Sequence, residues 1–389
     1  MALFLASCGG DATPAAVSVR DSLGVSILEH PRPASGMTAP WRMADDPDVA
    51  IGVADGADEY QFFGLSDALR RSDGSIIVID RSNTLRAYDS MGTHLWTAGR
   101  RGDGPGEFSW PQRVVELPGD TVAVWDVGPG RLSLFTSTGQ FVRVWTVPDL
   151  AATTLLVGRG RDGRLLVEQR RPERGVVDGR SAMVVYSELH LLDIGDGTTE
   201  SAGHRLTAIE YQEVDEDGAY SPPMFSAIAV YAPAPGGFWY GPTTGHELRR
   251  VAKDTANTIL RWSGPEEGIQ PADVRALVEK WSSGPDVTPE LRRSLAEYGR
   301  THPRAERFPA YEELQTDAHG NLWVRDFVRE HEDDGLRRWL IFTADARTVL
   351  GRLEHSARLR PLRLSSDGVL GVERDDLGVE RVVFRRVVR

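Results

Sequence analysis

One cysteine, Cys8, is all that the 389 residues contain, so the chain can build neither an internal disulfide nor a cysteine-rich zinc site. No stretch reaches the ~20 consecutive apolar residues of a membrane span. Positive charge is in deficit: 45 Lys plus Arg against 57 Asp plus Glu leave a net charge of −12. Such a surface is poorly suited to displacing counterions from a phosphate backbone, and no nucleic-acid partner is expected. The local signatures of common chemistries are missing too. There is no His-Glu-x-x-His, no Walker loop and no Gly-x-Ser-x-Gly. Gly158-Arg159-Gly160-Arg161-Asp162-Gly163 has dinucleotide-loop spacing but runs into Leu165-Leu166-Val167. That is a strand, whereas phosphate binding requires a helix N-terminus. The acidic run Glu213 to Gly218 opens like a calcium loop, yet its twelfth position is Met224 rather than Glu. His331-Glu332-Asp333-Asp334-Gly335 reads as a solvated turn, because one tight turn seldom aims four ligands at one ion.

What the chain does contain is punctuation. Its 40 Gly and 23 Pro are spread along its length, as suits many short strands joined by tight turns. A turn followed by an apolar strand recurs six times: Asp73-Gly74 before Ile76–Asp80, Gly119-Asp120 before Thr121–Asp126, and Asp162-Gly163 before Leu165–Val167. The other three are Gly236-Gly237 before Phe238–Tyr240, His319-Gly320 before Leu322–Val324, and Asp367-Gly368 before Val369–Val372. Successive turns are 46, 43, 74, 83 and 48 residues apart. Three of these spacings match a four-stranded propeller blade, and the two long ones require insertions. After several copies come a second strand and a third, as in Leu85–Tyr88 then His94–Trp96, which makes each unit a β-meander.

The fold class expected is therefore all-β: a six-bladed β-propeller over residues 17–389. The last copy ends short of strands, and Val25-Ser26-Ile27-Leu28 is expected to complete the sixth blade and close the ring. Between the fourth and fifth copies a helical insertion spans about 269–302. Pro271 opens one helix, with Val274, Leu277, Val278 and Trp281 on one face. Thr288-Pro289-Glu290 opens the second, with Leu291, Leu295 and Tyr298 on one face. The pair is either a lid over the channel mouth or a decoration packed on the propeller's side.

The segment Gly99 to Phe108, with the Asp317 to Val324 strand, resembles the NHL-like six-bladed propeller proteins. The resemblance implies an inter-blade loop formed by Gly102, Gly104, Pro105, Gly106 and Phe108. In physical terms the glycines around Pro105 permit a sharp turn, and Phe108 can wedge between neighbouring sheets. A WD-repeat reading fails, since Trp125-Asp126 occurs once.

Leu5-Ala6-Ser7-Cys8-Gly9-Gly10 is similar to a bacterial lipobox, although only seven residues precede Cys8. The expectation is that residues 1–16 are a truncated signal and flexible tether, with Cys8 lipidated and the protein exported to the cell envelope. The function expected is a monomeric binding or scaffold module that engages a protein, peptide or glycan on one propeller face, without a cofactor. The alternative is a hydrolase or lyase holding calcium or zinc at the axis. Either site would draw on inner strands near Asp67, Arg70, Arg113, Glu116, Glu312 and Glu313.

Overall fold

The computed structural model describes residues 17–31, 41–147, 154–177, 180–195, 197–213, 220–252, 257–284 and 286–388. Cys8 and residues 214–218 of the acidic run lie outside them. Six mainly antiparallel sheets follow one another along the chain. Sheet I is Leu65–Arg70, Ile76–Asp80, Leu85–Tyr88 and His94–Ala98. Sheet II is Pro111–Leu117, Thr121–Asp126, Arg131–Thr136 and Phe141–Thr146. Sheet III begins with Thr154–Arg159 and continues through the long strands Leu165–Val177, Arg180–Leu192 and Thr199–Glu213 to Tyr220–Ser221. Sheet IV holds Val230–Ala234, Gly237–Gly241, Glu247–Ala252 and Asn257–Trp262. Sheet V holds Tyr311–Thr316, Leu322–Asp326, Leu336–Phe342 and Val349–Ser356, and sheet VI holds Leu359–Leu364, Gly368–Arg374 and Glu380–Val388. Each of the six sequence repeats forms the second strand of its sheet.

No single core holds the molecule together. Instead six apolar clusters lie between successive sheets, the last joining sheet VI to sheet I. The strand Ile76–Asp80 shows how the sequence produces this. Ile76 and Val78 point into the cluster shared with sheet VI, while Ile77 and Ile79 point into the one shared with sheet II. A strand buried on both faces reads as a continuous apolar run rather than an alternation. The first strand of every sheet packs against the first strand of the next, so these strands are innermost and enclose an axis.

The ring closes differently from the expectation. Val25–His30 does not join sheet VI. It pairs in parallel with Asn257–Trp262 on the outer edge of sheet IV, and Ser18–Ser22 pairs outside it. The edge of sheet VI is filled by Arg42–Met43 and Val49–Ile51, which pair antiparallel with Glu380–Val388. Both edges would otherwise present unpaired backbone, and two N-terminal segments cover them in turn.

Alternation of strand direction sorts the connections onto two faces. The turns between first and second, and between third and fourth, strands are short. Many are closed by an Asp side chain accepting from the backbone two residues on, as Asp73 does from Ser75, Asp89 from Met91 and Asp317 from His319. The opposite face carries the long connections. Among them are helices α1 (Pro271–Ser282) and α2 (Pro289–Thr301) between sheets IV and V, and the projecting ends of the long sheet III strands. Thr288 caps α2 through a bond from the Leu291 amide. The helices meet where Gly299 faces Val278, a site at which a Cβ would stand 2.6 Å from Val278 Cγ2. Among the described residues no helix is long and apolar enough to cross a membrane.

Candidate functional site: an off-axis cavity beside a closed axis

Five of the six inner strands share one irregularity, a bulge that skips a residue in the pairing with the second strand. The skipped residues are Ser66, Gln112, Val157, Glu312 and Leu362. The residues that follow, Asp67, Arg113, Gly158, Glu313 and Arg363, therefore occupy one layer of the ring. In that layer Arg363 places Nη1 2.8 Å from Asp67 Oδ1 and Nη2 2.7 Å from Oδ2. Arg363 Nη2 also donates to the Val114 carbonyl, and the Val114 amide donates to Asp67 at 2.9 Å. Arg113 donates to the Val157 carbonyl at 2.6 Å. Burial pulls its pKa below the ordinary guanidinium value, with Asp67 opposing. Beside it space is tight: a Cβ on Gly158 would stand 3.1 Å from Pro233 Cγ.

Of the six inner-strand residues singled out in the sequence, the structure joins Asp67 to Arg363 and sets Arg113 near enough to feel both charges. Glu313 lies in the same layer, but both it and Glu312 are held by Arg325, at 3.0 and 3.2 Å. Desolvation raises the Glu312 pKa against the pull of Arg325. Arg70 and Glu116 stand near the short-turn face. Arg70 lies over the Phe384 ring at 4.4 Å, and Glu116 pairs with Arg71 at 3.0 Å. Sequence reasoning missed Arg363; the bulge that places it leaves no mark in the pattern of residue types. Among the described residues no three His, Cys, Asp or Glu side chains converge as metal ligands would. The axial carboxylate is satisfied by protein donors. The layer is a rivet between sheets.

In the Gly102–Phe108 loop, Phe108 is fully buried in the cluster between sheets I and II. Glu107 accepts from the Gly104 amide at 2.9 Å, and Arg131 donates to the carbonyls of Asp103, Gly104 and Glu107. The loop thus supplies its own carboxylate to the amide of its central glycine.

A second repeated position is more informative. Asp80, Asp126 and Asp326 close the second strands of sheets I, II and V and pair in register with Leu65, Pro111 and Tyr311. In sheet I the carboxylate accepts from the Phe63 amide at 3.1 Å and from Arg86 at 3.1 Å. In sheet II it accepts from the Ser109 and Trp110 amides at 3.0 and 2.6 Å. The aspartate clamps the connection entering the inner strand. In sheet V the clamp is missing. The residues in the corresponding places are Pro309, which has no N–H, and Ala310, whose amide donates to the Thr243 carbonyl at 2.8 Å. Among the described residues the one hydrogen bond to Asp326 comes from Arg352 Nη2, at 2.9 Å. Desolvation raises the Asp326 pKa, and Arg352 opposes it.

Asp326 opens instead onto a cavity of about 530 Å³ between sheets IV and V. Trp262, Phe308, Phe327 and Leu340 supply apolar walls. Phe308 and Phe327 are tilted neighbours at 5.6 Å, and His246 meets Trp262 edge-on at 5.5 Å. Gly264 allows His246 that position, because a Cβ would come within 1.9 Å of its Nε2. Arg329 at the rim pairs with Glu267 at 2.5 Å and with Glu332. The helical insertion is fastened to the same rim: Lys280 of α1 pairs with Glu330 at 2.8 Å, and Asp273 lies 2.8 Å from His331 Nδ1. Asp333 and Asp334, in the turn read as solvated, are engaged by Arg337 and Arg338. None of the cavity's aromatic residues stood out in the sequence. A scan for a Pro replacing an amide donor before an inner strand would have pointed to it.

No family model matches the chain, and no curated protein matches it by sequence. Solved structures do resemble it. One is a protein of Bacteroides fragilis NCTC 9343 named, by inference, as exported: 10% identity, a TM-score of 0.50, and coverage of 93% of this chain and 100% of that one. Another is a DUF4221 family member from Bacteroides vulgatus, at 10% identity and a TM-score of 0.51, covering 90% of this chain and 99% of that one. The fold is that of a β-propeller. At such identity the likeness concerns fold alone, and the propeller scaffold hosts unrelated functions.

Proposed function

We propose that this protein is an exported six-bladed, NHL-like propeller that works as a binding module. In this reading it is tethered through a lipid on Cys8 and receives its ligand, a protein segment, peptide or glycan, on the face that bears the long loops. The observation that carries the reading is the cavity between sheets IV and V, the place where a repeated structural aspartate has lost its backbone partners. Concave sites with apolar walls and a few convergent polar groups are where small ligands bind. The axis supports a binding module better than a metal-dependent hydrolase or lyase, because the Asp67 carboxylate is already met by Arg363 and the Val114 amide. Export is supported by the lipobox-like residues and by the name of the B. fragilis neighbour.

A thermal-shift screen with soluble saccharides, peptides and metabolites tests the binding reading. A ligand at a hundred times its Kd stabilises by about 2.7 kcal/mol, enough to raise the melting point visibly. The shift is expected to disappear in Phe327→Ala. Turnover of a substrate that survives Phe327→Ala and fails in Asp67→Asn would return the site to the axis. Incorporation of labelled palmitate, abolished by Cys8→Ser, checks the anchor separately.

A further inference from the structure

Asp273, in the first turn of α1, has two oxygens in different situations. Oδ2 accepts from the Gln270 amide at 2.6 Å and so caps the helix. That duty fixes the carboxylate where it is only 4% exposed. Oδ1 is shielded from solvent and has no hydrogen bond, a costly state for a charged group. Beside it stands the His331 imidazole, whose Nδ1 lies 2.8 Å away without aiming an N–H at it. Charge, rather than a directed hydrogen bond, is then what the ring has to offer. Its other nitrogen, Nε2, is 3.9 Å from Glu332 Oε1. A neutral imidazole carries one N–H and turns a lone pair toward one of the two carboxylates, whereas an imidazolium turns a proton toward both. The other charges about the ring are Lys280 on Glu330 and Arg329 between Glu267 and Glu332. Histidine is the side chain that changes charge between about pH 5 and 8.

We infer that His331 is a pH-sensitive latch: its imidazolium fastens α1 to the wall of the cavity between sheets IV and V, and loss of the proton loosens the helical insertion. The sign follows from Asp273. Protonated, His331 supplies a cation to a buried carboxylate. Neutral, it leaves that carboxylate buried without one, which is unfavourable. Firm attachment is therefore expected on the acid side and loosening on the alkaline side. The contact between Lys280 and Glu330 does not involve the histidine, so the insertion loosens without detaching. Arg329 and Glu332, on either side of the histidine, line the cavity, so the latch also sets how firmly one wall is held. This goes beyond the binding reading above, and the latch is testable without a ligand.

The test is hydrogen–deuterium exchange of the full chain on the two sides of the histidine range, at about pH 5.5 and about pH 8. Rates are corrected for the pH dependence of free amides. Amides of α1 are expected to exchange about three-fold or more slower at the lower pH, the scale of one ion pair. The short turn Asp73–Ser75, on the opposite face, is expected to keep one corrected rate. His331→Gln has no charge at either pH, and α1 should then exchange at the faster rate throughout. His331→Arg stays charged, and should hold the slow rate at the higher pH. No pH difference in the wild-type chain overturns the latch. A difference that survives in His331→Gln assigns the response to another group, His302 at the end of α2 being the first to examine, and overturns it as well. Fast exchange of α1 in His331→Arg at the higher pH removes charge as the cause and overturns it too.

Discussion

Asp126 and Asp326 occupy one position of the repeat and do different work. Asp126 is fully buried and accepts two backbone amides, with Arg131 3.7 Å away. Asp126→Asn keeps one acceptor oxygen and loses the charge, so a stability loss of about 2 kcal/mol is expected from chemical denaturation. Asp326 has a raised pKa, so its ionised form is disfavoured by folding. Asp326→Asn is expected to leave stability unchanged or slightly improved at neutral pH. Equal losses in the two variants would contradict the separation of roles. His355 makes a pH prediction. It is buried, accepts from Trp339 Nε1 at 3.0 Å, and desolvation lowers its pKa to about 4. Below the unfolded-state value of ~6.5 the unfolded chain takes up a proton that the folded chain refuses. Its contribution to stability should therefore fall by up to about 1.4 kcal/mol per pH unit between pH ~6.5 and ~4. Denaturation midpoints of the wild type and His355→Gln across that window check this: the slope should flatten in the variant.

At the scale of elements, the segments that cover exposed edges are the most revealing. Leu28 is buried against Leu260 and Trp262 in the cluster between sheets IV and V, and His30 Nε2 lies 2.7 Å from the Ala346 carbonyl. Leu28→Ala is expected to cost about 2–4 kcal/mol, measured by denaturant titration. A negligible cost would mean that the strand docks loosely. The strands themselves were legible in the sequence because burial on both faces demands apolar runs such as Ile76-Ile77-Val78-Ile79, and tight turns demand Gly or Asp beside them. The helices were legible for similar reasons: Pro271 and Thr288-Pro289 stand at their starts, with an apolar face at helical spacing. Closure was not. Val49–Ile51 is three residues long with an exposed middle, too short to carry a period, whereas Val25–Leu28 looked like a strand and was one, on another sheet. Nor was the axial partner Arg363, since a bulge depends on pairing across strands. The helical insertion has its own test. Gly299→Val should push α1 from α2 and raise protease cutting within 263–310 while leaving the sheets' melting transition nearly in place.

In the whole molecule a face of short self-closed turns is set apart from a face of long connections, with the Asp67–Arg363 rivet at the axis between them. Ligands then belong off the axis, where sheets IV and V and the helical insertion meet. Hydrogen–deuterium exchange with and without the strongest stabiliser from the thermal-shift screen measures that claim most directly. Protection concentrated in residues 246, 263–267, 308–310 and 326–332 is the predicted result. Protection centred on Asp67, Arg113 and Arg363, or on the short-turn face, would contradict it.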